Sequence, residues 1–461
     1  MPLHLPPDLM VSVSGLRGRV GAPLTPELVA GLAAAFGAFL LRDGKGDRIF
    51  VGRDSRTSGP MFSRAATAGL LSVGCRVVEL GVVPTPTLML AVREGDAVGG
   101  IGITASHNPA EWNALKLAGE DGTFLDGDRS AAFQRFLREE EVPRAPWDGL
   151  QAVEEDAGAV DRHLARILAL PLLEVEALRE RRFHVALDCV RGAGGRIMTT
   201  LLEALGCRVT AIHTEPDGRF PRDPEPTADS LQELGTLVLE SGAELGLAVD
   251  PDVDRLSLVD GKGFPLGEDL TLALASAVVL RRTPGTVVTN LSTSQVMEDV
   301  AAATGGRVVR SPVGEINVAR RMQEEGAVVG GEGNGGVILP SLHLTRDAPV
   351  GAALILQHLL DTGLSLREAV HRWPGYHIVK VKVAFPRERL ESAYSELEGR
   401  AAGGEVDRSD GLRLTWGGRR EWLHVRPSGT EPVVRLIAEA GTAERARELV
   451  EEGAEVLRSA G

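Results

Sequence analysis

Residues 98–109 read VGGIGITASHNP, an apolar, small-residue run that stops at Thr104 and gives way to a polar turn closed by Pro109. The apolar run ending in small residues predicts a strand, and the turn after it presents Ser106 at a strand end, where sheet proteins place their chemistry. Working backwards, a strand over 49–52, a helix over 62–73 stopped by Gly74, and a strand over 75–80 precede it. The same grammar returns twice. A strand over 183–187, a helix over 197–205 ended by Gly206 and a strand over 207–212 lead to the run 245–249, which enters VDPDVDRL. A strand over 286–290, a helix over 294–304 and a strand over 307–310 lead to GGEGNGG at 330–336. Strand-helix-strand order is common, but three unusual loops at one topological position argue for three similar α/β units. Their crossover helices predict mixed, partly parallel sheets sandwiched by helices.

The last segment is different. Ser365 and Glu368 form a capping box for a short helix that Trp373-Pro374-Gly375 ends. Beyond it come a strand over 377–385, a charged helix over 387–400, strands over 412–416 and 421–425, the loop RPSGTEP, a strand over 433–439 and a closing helix capped by Thr442. This is a small α+β domain. The expected domains are 1–150, 151–253, 254–372 and 373–461.

Composition narrows the class. With 461 residues, 43% apolar and 25% charged, the chain is an ordinary soluble protein too long for one core. Three cysteines with no CxxC pair suit reduced thiols in the cytoplasm. Prolines stand where a signal peptide needs an apolar stretch, and no apolar run reaches membrane-spanning length, so a cytoplasmic protein with no membrane partner is expected. A net charge of −14 argues against nucleic acid as a partner, so arginines for an anionic ligand must be clustered locally.

The loops carry distinct chemistry. Asp250, Asp252 and Asp254 lie between apolar strands, and burying three carboxylates together is costly unless a cation sits among them; hard oxygen ligands favour magnesium. An EF-hand is excluded, because the twelfth residue counted from Asp250 is Gly261 rather than glutamate. GEGNGG matches GxGxxG formally, yet extended chain follows it instead of a helix, which excludes a nicotinamide dinucleotide site. Glu332 and Asn334 on that glycine loop suit the vicinal hydroxyls of a sugar. Arg426, Ser428, Gly429 and Thr430, with Arg435 nearby, have the parts of a phosphate cradle. Ser14 and Arg17 stand on a glycine turn that could approach a phosphate, whereas Arg53 and Arg56 are candidates either for the anion or for structural ion pairs. Ser106 and His107, with Lys116 close behind to neutralise charge or move a proton, complete the candidate catalytic set. An isolated Ser-His pair usually does no more than cap a turn; here the other three loops change that balance.

TASHNP followed by Lys116, then DPDVDR, GEGNGG and RPSGTEP, in this order and spacing, resemble the α-D-phosphohexomutases over essentially the whole chain. The resemblance implies three related α/β domains and a fourth, TATA-box-binding-protein-like domain around a central cleft. It implies that Ser106 is carried as phosphoserine, with one Mg²⁺ held by its phosphate and by Asp250, Asp252 and Asp254. Arg255 is then expected beside the metal, and a hexose 1,6-bisphosphate is the expected intermediate and activator. The partner is a small hexose phosphate, and a monomer or homodimer is expected. One departure matters: relatives with GEMSGH or GEQSGH end the sugar loop on histidine, and this chain has Gly336. His343, or Arg346 with Asp347, are candidates for the neighbouring space. GEGNGG with His343 to Asp347 behind it resembles the archaeal-type phosphoglucosamine mutases, which points to glucosamine 6-phosphate, with a dual phosphoglucomutase/phosphomannomutase as the alternative. A metal-dependent sugar phosphatase is a further alternative that would not need both a sugar loop and a second phosphate cradle.

Overall fold

The computed structural model describes residues 4–12, 15–401, 403–428 and 433–460. Its first sheet contains Met10–Ser12 (β1), Gly15–Arg19 (β2), Arg48–Arg53 (β3), Arg76–Val82 (β4), Gly99–Ile103 (β5), Trp112–Gly119 (β6) and Val153–Glu155 (β7), in the order β1-β2-β6-β5-β3-β4-β7. The second contains His184–Asp188 (β8), Arg208–Ile212 (β9), Leu245–Val249 (β10) and Leu256–Asp260 (β11), in the order β11-β10-β8-β9. Thr286–Asn290 (β12), Arg307–Ser311 (β13), Val329–Glu332 (β14) and Gly336–Ile338 (β15) make the third, in the order β13-β12-β14-β15.

All three share one four-strand core. In the first, β5, β3 and β4 run parallel and β6 returns antiparallel beside β5. The set β10, β8, β9 and β11 repeats this, as does β14, β12, β13 and β15. Parallel neighbours need crossovers, and helices Gly59–Leu71, Gly194–Ala204 and Val296–Thr304 supply the first of them in each unit. Helices on the sheet faces explain why β5, β8, β10 and β12 are buried along their whole length. The three loops singled out in the sequence fill the same connection in each unit, β5 to β6, β10 to β11 and β14 to β15.

Two expected limits fall inside sheets. β7 extends the first sheet past 150, and β11 pairs with β10 beyond 253. β7 is a short, exposed VEE edge with no apolar alternation to betray it, and β11 is the return arm of a hairpin whose turn coincides with the expected boundary.

The fourth sheet is antiparallel throughout: His377–Ala384 (β16), Glu405–Asp407 (β17), Leu412–Trp416 (β18), Glu421–Pro427 (β19) and Val433–Ala440 (β20), ordered β16-β20-β19-β18-β17. Helices Leu390–Arg400 and Ala443–Ala460 cover one face. The helix expected from 387 opens as a 3-10 turn, Arg387–Arg389, and becomes α-helical at Leu390.

One apolar cluster runs through the second and third units and one side of the first, including Leu88, Leu201, Leu247 and Leu354, whereas the fourth unit has a core of its own. Three loops are therefore held by shared packing and the fourth by surface contacts. Among the described residues, no helix is long and apolar enough to cross a membrane.

Candidate active site

Ser106 is 3% exposed and adopts a left-handed backbone, φ 50°. A non-glycine residue there costs about 1–3 kcal/mol and persists only when its surroundings hold it. The Ser106 N–H donates to Thr104 Oγ1 at 3.0 Å, and the Thr104 hydroxyl donates to Asp54 Oδ2 at 2.6 Å. Arg56 supplies the rest: its Nε donates to Asp54 at 3.0 Å, and its terminal nitrogens donate to the carbonyls of Ser106, Asn108 and Pro109 at 2.6 Å each and of Trp112 at 2.9 Å. Fully buried, Arg56 is the frame of the serine loop and takes the structural side of the choice the sequence left open. Arg53 likewise turns onto the carbonyl of Asp54, at 3.1 Å. Arg17, on β2, donates to Asn108 Oδ1 at 2.5 Å from the opposite side of the loop.

The acidic trio comes from a different unit and meets this serine directly. Ser106 Oγ donates to Asp250 Oδ2 at 2.9 Å, across 144 positions of sequence. Asp250, Asp252 and Asp254 are all fully buried, and each offers a carboxylate oxygen within 4.8 Å of the others. The loop folds so tightly that Val253 takes φ 63°, and Asp250 Oδ1 accepts the N–H groups of Asp254 and Arg255 at 3.1 and 3.2 Å. Thr85 and Lys116, from the first unit, donate to Asp252 Oδ2 at 2.6 and 2.7 Å. Asp252 Oδ1 and Asp254 Oδ1 have no hydrogen-bond partner although buried. Burial, then Asp254 and Asp252, push the Asp250 carboxyl well above the ordinary carboxylate range. Two orphaned carboxylate oxygens beside a third carboxylate and a hydroxyl fit a divalent cation with hard oxygen ligands.

Lys116 Nζ lies on Asp252 and 3.7 Å from Asp254, so its ammonium is committed to the trio. Burial alone would lower its pKa, but Asp252 and Asp254 outweigh burial and the net shift is upward. His107 Nδ1 stands 3.3 Å from Ser106 Oγ. The Arg255 guanidinium, then burial and Arg17, hold that imidazole well below its ordinary value, so it is neutral near pH 7. Arg255 is tied to Glu225 at 2.7 Å and has its Nε 3.8 Å from Asp254.

The glycine loop packs on the acidic one: Leu256 N–H donates to the Gly335 carbonyl at 3.0 Å, and a Cβ at Gly335 would lie 2.5 Å from the Leu256 oxygen. Glu332 is buried, accepting from Asn290 at 2.8 Å and from Arg346 at 2.8 Å, and Asn334 reaches it at 3.4 Å. Of the candidates for the space beside Gly336, Arg346 occupies it. His343 points away, onto Asp347 at 2.7 Å.

In the fourth unit Arg426 pairs with Asp410 at 2.9 Å and lies directly opposite Arg435, which lies opposite Lys382. Opposed residues of antiparallel strands share a face, so three cations rise in a row beside Ser428. The same face seats on the third unit through His424, 2.8 Å from Ser292 Oγ, and through Glu439, which accepts from Gln295 N–H at 2.9 Å. Ser14, Gly429 and Thr430 lie outside the described residues. Sequence reasoning missed Thr85, Glu225, Glu315 and Lys382: Thr85 arrives by packing between units and Lys382 by strand register, while Glu225 and Glu315 are brought onto Arg255 and Arg346 by the folding of their own units, which no local motif announces.

Models of four phosphoglucomutase/phosphomannomutase domains match the chain in order: alpha/beta/alpha domain I over 9–143, domain II over 161–263, domain III over 267–376 and the C-terminal domain over 379–456. A phosphoglucomutase/phosphomannomutase of Thermococcus kodakarensis is 36% identical over 452 residues, 97% of this chain and 98% of the relative. A probable phosphoglucosamine mutase of Methanopyrus kandleri is 36% identical over 449 residues, 96% and 97% of the two chains. Among solved structures, a putative phosphomannomutase from Thermus thermophilus superposes with a TM-score of 0.84 at 26% identity, covering 99% of this chain and all of that one. Shared architecture, loop order and whole-length identity agree: the chain belongs to the phosphoglucomutase/phosphomannomutase family, the α-D-phosphohexomutases, and is an enzyme that transfers a phosphoryl group within a hexose phosphate.

Proposed function

We propose that the enzyme interconverts glucosamine 6-phosphate and glucosamine 1-phosphate, with Ser106 as the phosphate carrier and a bisphosphorylated sugar between the two half-reactions. The observation that carries this reading is the 2.9 Å contact between Ser106 Oγ and Asp250, beside two unpartnered carboxylate oxygens. One Mg²⁺, held by Asp250, Asp252, Asp254 and an oxygen of the phosphorylated serine, supplies positive charge to the transferring phosphoryl oxygens when bound.

In the first half-reaction the bond from phosphorus to Ser106 Oγ breaks and a bond to the free sugar hydroxyl forms. That hydroxyl gives up a proton, and Ser106 Oγ takes one up. His107, neutral and 3.3 Å from Oγ, is placed to exchange protons there. Lys116, kept as ammonium, balances charge instead of accepting a proton. Arg17 holds Asn108 and with it the rim of the loop. Glu332 and Asn334 face the sugar hydroxyls, while Arg426, Ser428, Gly429, Thr430 and Arg435, joined by Lys382, grip the phosphate that is not reacting. The bisphosphate then turns over and returns its other phosphate to Ser106; hexose 1,6-bisphosphate reloads an unphosphorylated serine.

Relatives named probable phosphoglucosamine mutase, 36% identical in Methanopyrus kandleri and 33% in Pyrococcus abyssi, support the amino sugar. The Thermococcus kodakarensis relative, also 36% identical, supports a second reading as a phosphoglucomutase/phosphomannomutase. Side-by-side turnover of glucosamine, glucose and mannose 6-phosphates decides between them. The amino sugar is expected to give the highest kcat/KM. A preference for glucose or mannose 6-phosphate establishes the second reading, and release of inorganic phosphate without isomerisation overturns both.

A further inference from the structure

Arg346 stands where the acidic loop and the glycine loop meet. Its Nη2 donates to Asp254 Oδ2 at 2.6 Å and its Nη1 to Glu332 Oε2 at 2.8 Å. Its Nε lies 3.2 Å from Glu315 Oε2, and its main-chain N–H donates to Glu315 Oε1 at 2.9 Å. The side-chain stem runs through the space beside Gly336, where a Cβ would lie 2.2 Å from Arg346 Cδ. The next residue is anchored as firmly. Asp347 caps the helix Ala348–Thr362 through Val350 N–H at 3.0 Å and accepts from His163 and His343 at 2.8 and 2.7 Å. His163 in turn meets the Thr87 hydroxyl at 2.9 Å, so the backbone that aims Arg346 is fixed against all three α/β units.

We propose that Arg346 is a positioning residue that couples the metal loop to the sugar loop by sharing one charge between Asp254 and Glu332, and that position 336 is glycine to let its stem pass. This rests on assigning Asp254 to the cation and Glu332 to the sugar. The coupling has a sign. A fixed positive charge on Asp254 opposes a cation at the trio, and the same charge orients Glu332 for the sugar. Removing it therefore moves the two affinities in opposite directions, which a loss of packing would not do.

The test measures Mn²⁺ binding to the metal-free enzyme by calorimetry, together with KM and kcat. Arg346→Met is expected to bind Mn²⁺ about tenfold more tightly and to raise KM for the hexose phosphate about tenfold. Arg346→Lys, which keeps the charge but cannot span both carboxylates, is expected to leave Mn²⁺ affinity within about twofold and still raise KM. Gly336→Ala should raise KM in the wild-type background and add nothing to Arg346→Ala, because truncation at Cβ removes the Cγ and Cδ that it strikes. Should Arg346→Met not fold, Arg346→Lys decides: a raised KM with Mn²⁺ affinity held within about twofold supports the coupling, and a parallel loss of both affinities overturns it. Unchanged Mn²⁺ affinity and KM in the arginine variants, or additivity with Gly336→Ala, overturns the coupling while leaving the mutase reading intact. Absence of Mn²⁺ binding in wild type, or equal binding by Asp252→Asn, overturns the underlying metal assignment and the coupling together.

Discussion

Arg56 illustrates how much of this site depends on a residue that touches no sugar. All of its guanidinium donors are committed, to Asp54 and to four carbonyls of the serine loop. Arg56→Met strands those groups in a buried place, and a destabilisation of about 3–5 kcal/mol is expected, with turnover lost. Urea titration beside kcat checks it, and wild-type stability in the variant would refute the framing role. His107→Asn should instead leave the fold intact and lower kcat by about 10²–10⁴, the range for a positioned proton-transfer group, with little change in KM. At this scale the meeting of Ser106 with the aspartates was legible, because each stands in a compact polar motif at the end of an apolar strand. The commitments of Arg56 and Arg346 were not, since each depends on carbonyls or carboxylates brought in by folding.

At the scale of elements, the repeated strand-helix-strand order was legible because helical and strand spacing differ and glycines punctuate them. The apolar run after the acidic loop and the extended chain after the glycine loop were legible too, but their pairing was not: β11 and β15 fold back on β10 and β14 as the hairpins that carry the two loops. Register carried the rest: Lys382 joins Arg435 and Arg426 only because β16, β20 and β19 pair as they do. Gly335 tests the contact between loops. It holds φ 88°, and its Cβ would strike the Leu256 carbonyl oxygen, which is backbone and cannot move aside cheaply. Gly335→Ala is expected to cost more than about 1 kcal/mol of stability and to raise KM for the hexose phosphate. Thermal unfolding and steady-state kinetics measure both, and a neutral variant would mean that the two loops are not held against each other.

Across the whole molecule, the three α/β units share packing that fixes their loops, while the fourth sits on polar contacts suited to rocking. A reactive phosphoserine has to be shielded from water during transfer, so closure of the fourth unit over the cleft is expected on substrate binding. Solution scattering should show a smaller radius of gyration with hexose phosphate than without, and identical profiles would contradict closure. The seat is also expected to be acid-sensitive. His424 donates through Nε2 to the Asp410 carbonyl at 2.7 Å, leaving Nδ1 to accept from Ser292. Burial lowers its pKa from 6.5 to about 4. An exposed imidazole takes up a proton at the higher value and the seated one at the lower. The contribution of His424 is therefore complete above pH 6.5 and is lost as pH falls toward 4. Hydrogen exchange at residues 292–295, corrected for intrinsic rates, should accelerate as pH falls from about 6.5 to about 5 in wild type; pH-independent protection would remove His424 from this role.

The most direct measurement concerns where the phosphate resides between turnovers. Intact-mass analysis with peptide mapping, on the purified enzyme after incubation with a hexose 1,6-bisphosphate, is expected to find one phosphate, on Ser106. Ser106→Ala should keep its fold, take up no phosphate and lose mutase activity. Phosphate mapped to another residue, or substantial turnover by Ser106→Ala, would contradict a phosphoryl group carried by this serine beside the aspartate trio.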